Sequence, residues 1–496
     1  MSLSMSLAAL EAACAELRRA GADYGDARLA TEEREAIVVR FEEVETAHHG
    51  RSQGVGVRAL VDGAWGFAAR PGSDEASAVM AAREAMGVAR ASAQVARHRV
   101  ELAEEEPARG RWSNSLGEDP FTVPLDRKLA DLLAATAALR GSHAEATQVR
   151  SAEASMLWHR RRSTFVSTDG ACVEQEKVLG GAGIKVTTAG DDELAVRSWP
   201  MDFDGGLLGC GYEAVARLDL TSNAHRVRDE ALALLSAPAC PAGRTTLILD
   251  TPQLALQIHE SCGHPAEADR ALGEEISLAG GSFLTPDRLG RFRYGATRVN
   301  ITADATIPEG LGSFGWDDEG VPARRTPLVS RGLFVGYLSS RETAARLQLG
   351  RSAGCMRAES WSRPAIIRMT NVSLEADPQG PASLAELVAD TEHGLLMTTN
   401  RSWSIDDLRL NFQFGCEAAW EIRHGRLGRI LKKPLYSGIT PRFWAGCDAV
   451  GGPAAVRHWG FVSCGKGDPL QLMAVGHGCP PARFRDVEVG SAEGTA

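Results

Sequence analysis

Residues 238–264 read PACPAGRTTLILDTPQLALQIHESCGH, and this stretch organises the 496-residue chain. Pro238, Pro241 and Gly243 cannot continue the helical pattern before them and mark a linker. Residues 246–249 read as a buried strand, and Thr251-Pro252 as the N-cap and first residue of a new helix. That helix runs into QIHESCGH (257–264), where Glu260 adjoins His259 and His264 follows five residues after His259. Neutral imidazoles are common zinc ligands, and a carboxylate beside them can take a proton from water. A spacing of four puts two histidines on one helix face. A spacing of five turns them about 140° apart on a regular helix. Either the pattern is accidental, or the helix widens or ends between the two histidines. Gly263 and Pro265 flank His264 and weaken regular helix, and a π-type bulge would bring residues i and i+5 together.

Outward from this stretch the two halves differ. Upstream, an amphipathic first helix carries Leu7, Leu10, Cys14 and Leu17 at helical spacing. Residues 55–61 and 64–69 form a hairpin turning at Asp62-Gly63. Ser73 or Asp74 caps a helix to about Arg90, residues 91–120 read as a solvated connection, and Pro124 opens a helix with Leu125, Leu129, Leu132, Leu133 and Leu139 on one stripe. A second hairpin, 156–167 with 171–187, turns at Asp169-Gly170, and a helix over 223–235 ends this half. Within the second hairpin, Gly180-Gly181-Ala182-Gly183 lacks a following helix and a Lys-Ser/Thr, so it reads as a bend rather than a nucleotide loop. Downstream, short strands alternate with glycine turns: 328–338 turning at Arg331-Gly332, 365–374, and 418–430 turning at His424-Gly425. The expected fold is α+β, with an N-terminal α/β sandwich-like domain over 1–239, a strand-rich C-terminal domain over 240–490 and a frayed tail over 491–496.

Composition narrows the function. Hydrophobic residues make up 44% of the chain, which suits a packed globular protein and not a disordered one. The formal net charge of -10 argues against a nucleic-acid partner, because no excess of Lys and Arg is present to displace counterions from phosphates. No run of 18 apolar residues is present, and Glu11 and Glu16 interrupt any export signal, so neither a membrane span nor secretion is expected. The ten cysteines form no C-x-x-C pair, which excludes zinc ribbons and thioredoxin-type sites and points to a reduced, cytoplasmic protein.

HESCGHPAEAD (259–269) closely resembles the metal-binding segment of the TldD/PmbA family of zinc metallopeptidases. The likeness continues through SFGWDDEGVPARRTPLVSRGLFVGYLSSRETA (313–344), RAES (357–360), IIRMTNVSL (366–374) and CGKG (464–467), in the family's order. The N-terminal half resembles the family mainly in its hairpin-then-helix order. Where the family commonly has a short Gln-containing stretch after CGKG, this chain has DPLQ (468–471).

The resemblance implies a C-terminal metallopeptidase domain with His259, His264 and Cys464 as metal ligands, Glu260 as catalytic base and one Zn²⁺ per chain. It implies short or unfolded peptides as substrates, held inside a homodimer or a heterodimer with a homologous subunit. Thiolate is a good zinc ligand, and three protein ligands leave a position for water. Cys262, three residues after His259, occupies a variable position of the motif. Glu267 and Asp269 match acidic positions that orient a histidine ring or simply face solvent. Asp317, Asp318 and Glu319 read as an acidic surface turn. The other cysteines, Cys14, Cys172, Cys210, Cys240, Cys355, Cys416, Cys447 and Cys479, read as packing residues. Three alternatives stay open: a peptide-binding subunit without catalysis, a zinc hydrolase of a non-peptide amide, and a structural zinc site with Cys262 as its fourth ligand.

Overall fold

The computed structural model describes residues 3–142, 146–201, 206–276 and 280–492; the end of the expected tail, 493–496, lies outside the described residues. The fold is α+β. In the first half one twisted sheet has the order β3-β2-β1-β5-β6-β4, with β7 added to β6. Its strands are β1 (Tyr24–Arg40), β2 (Glu43–Val61), β3 (Ala64–Pro71), β4 (Arg109–Ser113), β5 (Val149–Ser167), β6 (Cys172–Ala189) and β7 (Leu194–Trp199). Both expected hairpins form, and at the first turn Asp62 and Gly63 take φ of 51° and 75°, as a tight two-residue connection requires.

Alternation along the strands gives this sheet two unlike faces. One is apolar and is covered by helices. Ala27 and Val57 pack under α1 (Leu3–Arg19) and α2 (Glu75–Ala93), while Met156 and Trp158 pack under α3 (Leu125–Arg140) and α4 (Leu220–Ser236). Asp74 caps α2, its carboxylate accepting from the Ser77 N–H at 2.9 Å. The other face carries Asp26, Arg28, Glu32 and Arg58, all buried, and is turned toward the second half.

Two readings of this half need correcting. The expected connection 91–120 contains β4, which pairs in parallel with the start of β6; its five residues are too few and too polar to register as a strand from pattern alone. The Gly180–Gly183 run is not a bend but the middle of β6, paired with β5. A side chain at Gly180 would meet Trp158, and one at Gly181 would meet the backbone of Gly206, so close packing explains these glycines.

In the second half β8 (Gly243–Leu249), β9 (His393–Ile405), β10 (Asn411–Arg423), β12 (Pro434–Ile439) and β15 (Ala482–Ser491) follow the order β9-β8-β15-β12-β10, with β11 (Arg426–Leu431) beside β10. β10 pairs back onto β9, so these strands close on themselves. Phe412, Phe414, Tyr436, Trp444 and Phe484 fill the core beneath α5 (Thr251–Ile258), all eight of whose residues are buried. Its N-cap is Asp250 rather than Thr251, the carboxylate accepting from the Thr251 N–H at 2.7 Å. A separate hairpin, β13 (Arg457–Lys466) with β14 (Gln471–Cys479), lies beside it. At the chain's end Ser491 belongs to β15.

The acidic triplet 317–319 is not a surface turn. Asp317 and Glu319 are buried, and the triplet locks the two halves together. Arg58 binds Asp26 at 2.6 Å and Glu319 at 3.3 Å, while Arg28 and Arg161 meet Asp318 at 3.3 and 3.4 Å. Its cationic partners lie on strands at least 157 residues earlier in the sequence, so local composition reads as solvated. Arg58→Met leaves two carboxylates buried and unpaired, and is expected to cost about 3–5 kcal/mol, read as a lower urea midpoint against wild type.

Candidate metal centre

α5 does not end at His259. Residues His259–Gly263 form one turn of π-helix, closed by the His264 N–H donating to the His259 carbonyl at 3.1 Å. The extra residue in the turn brings two side chains five apart onto one side, and the imidazole rings of His259 and His264 meet edge to face with centroids 4.7 Å apart. The widened turn is held from outside. Tyr294 donates its hydroxyl to the Ser261 carbonyl at 2.8 Å, and Trp444 donates its indole N–H to the Ser261 hydroxyl at 2.9 Å. A side chain at Gly263 would collide with Met369 Sδ, so only glycine fits there.

Cys464 reaches the same place from β13. Ligand atoms of His259, His264 and Cys464 lie within 4.8 Å of one another, all three residues are buried, and Cys464 Sγ is 3.7 Å from His264 Nε2. Both imidazoles are poised as ligands by partners behind them. His477 Nδ1 lies 2.8 Å from the Val372 carbonyl, which can only accept, so His477 Nε2 is bare. That nitrogen lies 2.9 Å from His259 Nδ1, which must therefore carry the proton and leave His259 Nε2 with a free lone pair. His264 Nδ1 lies 3.0 Å from Glu267 Oε2. Burial works against Glu267 ionising, but Lys466 and Arg270 hold its carboxyl well below the usual range. It accepts from Nδ1, a shorter contact than that of Nδ1 with Arg270 Nη2 at 3.3 Å, and this leaves His264 Nε2 likewise bare. Burial brings both histidines down to about 4, keeping them neutral. For Cys464 burial pulls upward, but the Arg368 guanidinium and His264 outweigh it and hold the thiol below its ordinary value. Two neutral imidazoles and a thiol eased toward thiolate fit a zinc ion.

Around the donors sits a buried ionic frame. Glu267 accepts from Arg270 Nε at 2.6 Å, and Lys466 Nζ lies 2.7 Å from Asp269 and 3.4 Å from Glu267. Glu267 and Asp269 thus face inward, not toward solvent. Cys464 and Lys466, two apart on β13, share a face and serve the ligands and the frame respectively. Glu260 is buried outside the donor cluster, and Arg409, from the β9–β10 connection, pairs with it at 2.9 Å. Cys262 lies in the apolar core beside Tyr294, where burial pushes its thiol up to about 12; it is not among the grouped donors. The sequence reading missed His477, Lys466, Arg368 and Arg409. Lys466, inside CGKG, and Arg368, inside IIRMTNVSL, lie within stretches that carry the family resemblance.

Comparisons with known proteins give the family of the chain. The description "PmbA/TldA metallopeptidase C-terminal domain" matches residues 242–491, "domain 1" matches 25–89 and "central domain" matches 118–235. The chain belongs to the PmbA/TldD metallopeptidase family. A metalloprotease of Synechocystis sp. PCC 6803 is 30% identical over 98% of this chain and 99% of its own. One from Methanothermobacter thermautotrophicus is 28% identical over 94% and 95%. A protein of Saccharolobus solfataricus named zinc metalloprotease TldD homolog is 25% identical over 50% and 52%. Among solved structures, TldE from Thermococcus kodakarensis superposes with a TM-score of 0.72 at 16% identity, covering 97% of this chain and 100% of that one. A Thermotoga maritima structure does so with a TM-score of 0.76 at 16% identity, covering 97% and 99%. These two show the fold.

Two outcomes are expected of this centre. His477→Phe removes the acceptor that fixes the His259 tautomer and should weaken zinc binding by about 10–100-fold in competition with a chelating dye, with Cys464 still in place. The second concerns acid. Unfolded histidines titrate near 6.5, whereas folded His259 and His264 do so at about 4. Between these values the unfolded chain binds more protons, so the stability of the metal-free protein should fall as pH drops from about 6.5 to about 4. Urea midpoints across that window, with His264→Gln as the control, measure the effect.

Proposed function

We propose that this chain is a zinc-dependent peptidase in which His259, His264 and Cys464 hold the metal and Glu260 is the catalytic base. The observation that carries this reading is the π-turn, which brings two histidines five residues apart to one thiol 200 residues further on. Three donors, with no fourth in the group among the described residues, match a catalytic arrangement better than a closed structural one. Zinc, when bound, supplies Lewis acidity: it polarises the scissile carbonyl and makes a water easier to deprotonate.

The chain's own residues do the rest. Glu260 takes the proton of the attacking water and returns it to the leaving amine. Arg409 holds the Glu260 carboxylate in place and is a positioning residue. His477 and Glu267 keep the Nε2 atoms of the two ligands free of protons. The intact donor set argues against a purely binding subunit. The names of the relatives support peptide bonds over other amides as the bond cleaved. One Zn²⁺ per chain, short or unfolded peptides as substrates, and a homodimer or a pairing with a TldE-like subunit complete the proposal. A reducing, cytoplasmic setting fits the ten free cysteines, and among the described residues no helix is long and apolar enough to cross a membrane.

Glu260→Gln should keep its zinc and lose peptide cleavage by at least about 100-fold. Zinc by elemental analysis, with cleavage of an unfolded casein digest assayed in parallel, checks both halves; cleavage at the wild-type rate would remove Glu260 from the mechanism. Cys464→Ala should lose most of its zinc under the same analysis.

A further inference from the structure

The face of the N-terminal sheet turned toward the second half encloses, with that half, a cavity of about 300 Å³. Strand alternation aims His159 and Arg161 of β5 and Lys177 of β6 into it, with Arg34 of β1 beside them. Trp112, Phe314 and Trp316 form an apolar wall, and Val462, Ser463 and Met473 of the β13–β14 hairpin form another. Met473 is the direct cross-strand partner of Cys464, so the cavity and the metal donors share that hairpin.

The charges in this cavity do not balance. Arg161 stands directly opposite Lys177 across β5 and β6; Arg34, opposite the neutral His159 across β1 and β5, pairs with Glu32 at 3.5 Å. Like charges directly opposite one another are destabilising unless something offsets them. Asp318 offsets Arg161, but it is shared with Arg28. Lys177 donates to the Leu311 carbonyl, and Arg357 donates to the carbonyls of Ala474 and Met369; among the described residues neither forms an ion pair. His159 Nε2 and Arg357 Nε are buried without a partner. The carboxylates on the wall besides Asp318 are Glu359 and Asp317, and burial with Glu319 alongside holds Asp317 well above the usual carboxylate range. Burial, with Arg34, Arg161 and Lys177 close by, brings His159 down to about 3. Burial, with Arg357 and Arg161, likewise holds Lys177 well below its ordinary value. The cations outnumber the carboxylates against apolar walls, an imbalance that an anion would relieve.

We propose that this cavity is a carboxylate-binding subsite for the peptide substrate, in which Lys177, with Arg161 and Arg357, receives a carboxylate and Trp112, Phe314 and Trp316 receive the apolar group beside it. The inference rests on the peptidase reading for its substrate class, but not on cleavage. A volume of about 300 Å³ lies at the lower end of small-ligand sites and suits one residue rather than a long segment. The carboxylate comes either from the peptide's C-terminus or from an acidic side chain. The arriving charge offsets the burial and the neighbouring cations that lower the proton affinity of Lys177, so binding should raise it.

The test uses the full-length, zinc-loaded Glu260→Gln protein and isothermal titration with three blocked tripeptides: Ac-Ala-Ala-Phe as free acid, the same peptide as amide, and Ac-Ala-Glu-Phe amide. The free acid should bind about tenfold or more tightly than the Ala-Ala-Phe amide, the scale of a charge-assisted hydrogen bond. Tight binding of the Glu-containing amide instead assigns the carboxylate to a side chain. Lys177→Met should bring the peptides within about twofold of each other, Lys177→Arg should keep the discrimination, and heats in buffers of differing ionisation enthalpy should report proton uptake. The proposal is overturned if all three peptides bind alike, if none binds, or if Lys177→Met weakens all three in equal proportion. Wild-type cleavage is assayed separately. Loss of carboxylate discrimination with cleavage intact sinks the subsite alone, and discrimination without any wild-type cleavage sinks the peptidase reading alone.

Discussion

Two imidazoles five residues apart on a regular helix point in different directions, and every other feature of the candidate metal centre depends on how the chain overcomes this. The solution is local: one hydrogen bond, from the His264 N–H to the His259 carbonyl, skips a residue and widens the turn. A π-turn is less favourable than α-helix when isolated, so the surrounding core must favour it. It does so with Tyr294 and Trp444, whose polar tips satisfy Ser261, and with Met369, whose sulfur leaves room only for glycine at position 263. These aromatic residues belong to the core closed by the C-terminal strands. The strand-rich half is therefore the mould in which the ligand geometry is set.

The same turn explains the buried charges behind it. Once His264 points to the donor cluster its Nδ1 needs an acceptor, and Glu267 supplies one from three residues on. A carboxylate buried that deeply carries a large desolvation cost unless cations surround it. Arg270 and Lys466 fill that role, and Asp269 in turn engages Lys466. The frame is local on one side, residues 267–270, and distant on the other, where β13 brings Lys466 and Cys464 in together. Because those two lie two apart on one strand, a shift of register by one residue would withdraw the thiol and the ammonium at once.

How much of this could be read from the sequence follows from whether the signal was local. The helix α5, both Asp-Gly hairpins and the capped α2 were legible because turn chemistry and apolar spacing act within a few residues. The departure from regular helix between His259 and His264 was legible as one of the open alternatives: the spacing requires it if both histidines serve one site. Cys464 came only through resemblance, since a lone cysteine carries no geometric information. His477, Arg368 and Arg409 were invisible, because each acts through a contact made only on folding. The triplet 317–319 was misread for a related reason. Three acids in a row resemble a solvated turn until Arg28, Arg58 and Arg161 arrive from the other half to neutralise them. The strand β1 was missed because the polar run Thr31-Glu32-Glu33-Arg34-Glu35 interrupts its alternation.

Buried charges also explain why the N-terminal half belongs to the functional unit. A sheet that needed only to pack against the second half would bury apolar side chains on that face at lower cost. This one buries ions. Some of them, Asp26, Arg28 and Arg58, are matched by the 317–319 triplet and fix how the halves meet. Lys177, and Arg357 of the second half on the same cavity wall, are matched by backbone carbonyls alone. The matched ions set the alignment of β5 and β6 against the β13–β14 hairpin, and the unmatched ones fall where that hairpin carries Cys464. An interface built from ion pairs is directional where an apolar one would slide. The same face can therefore hold the hairpin in register and keep an electropositive hollow open beside the metal donors.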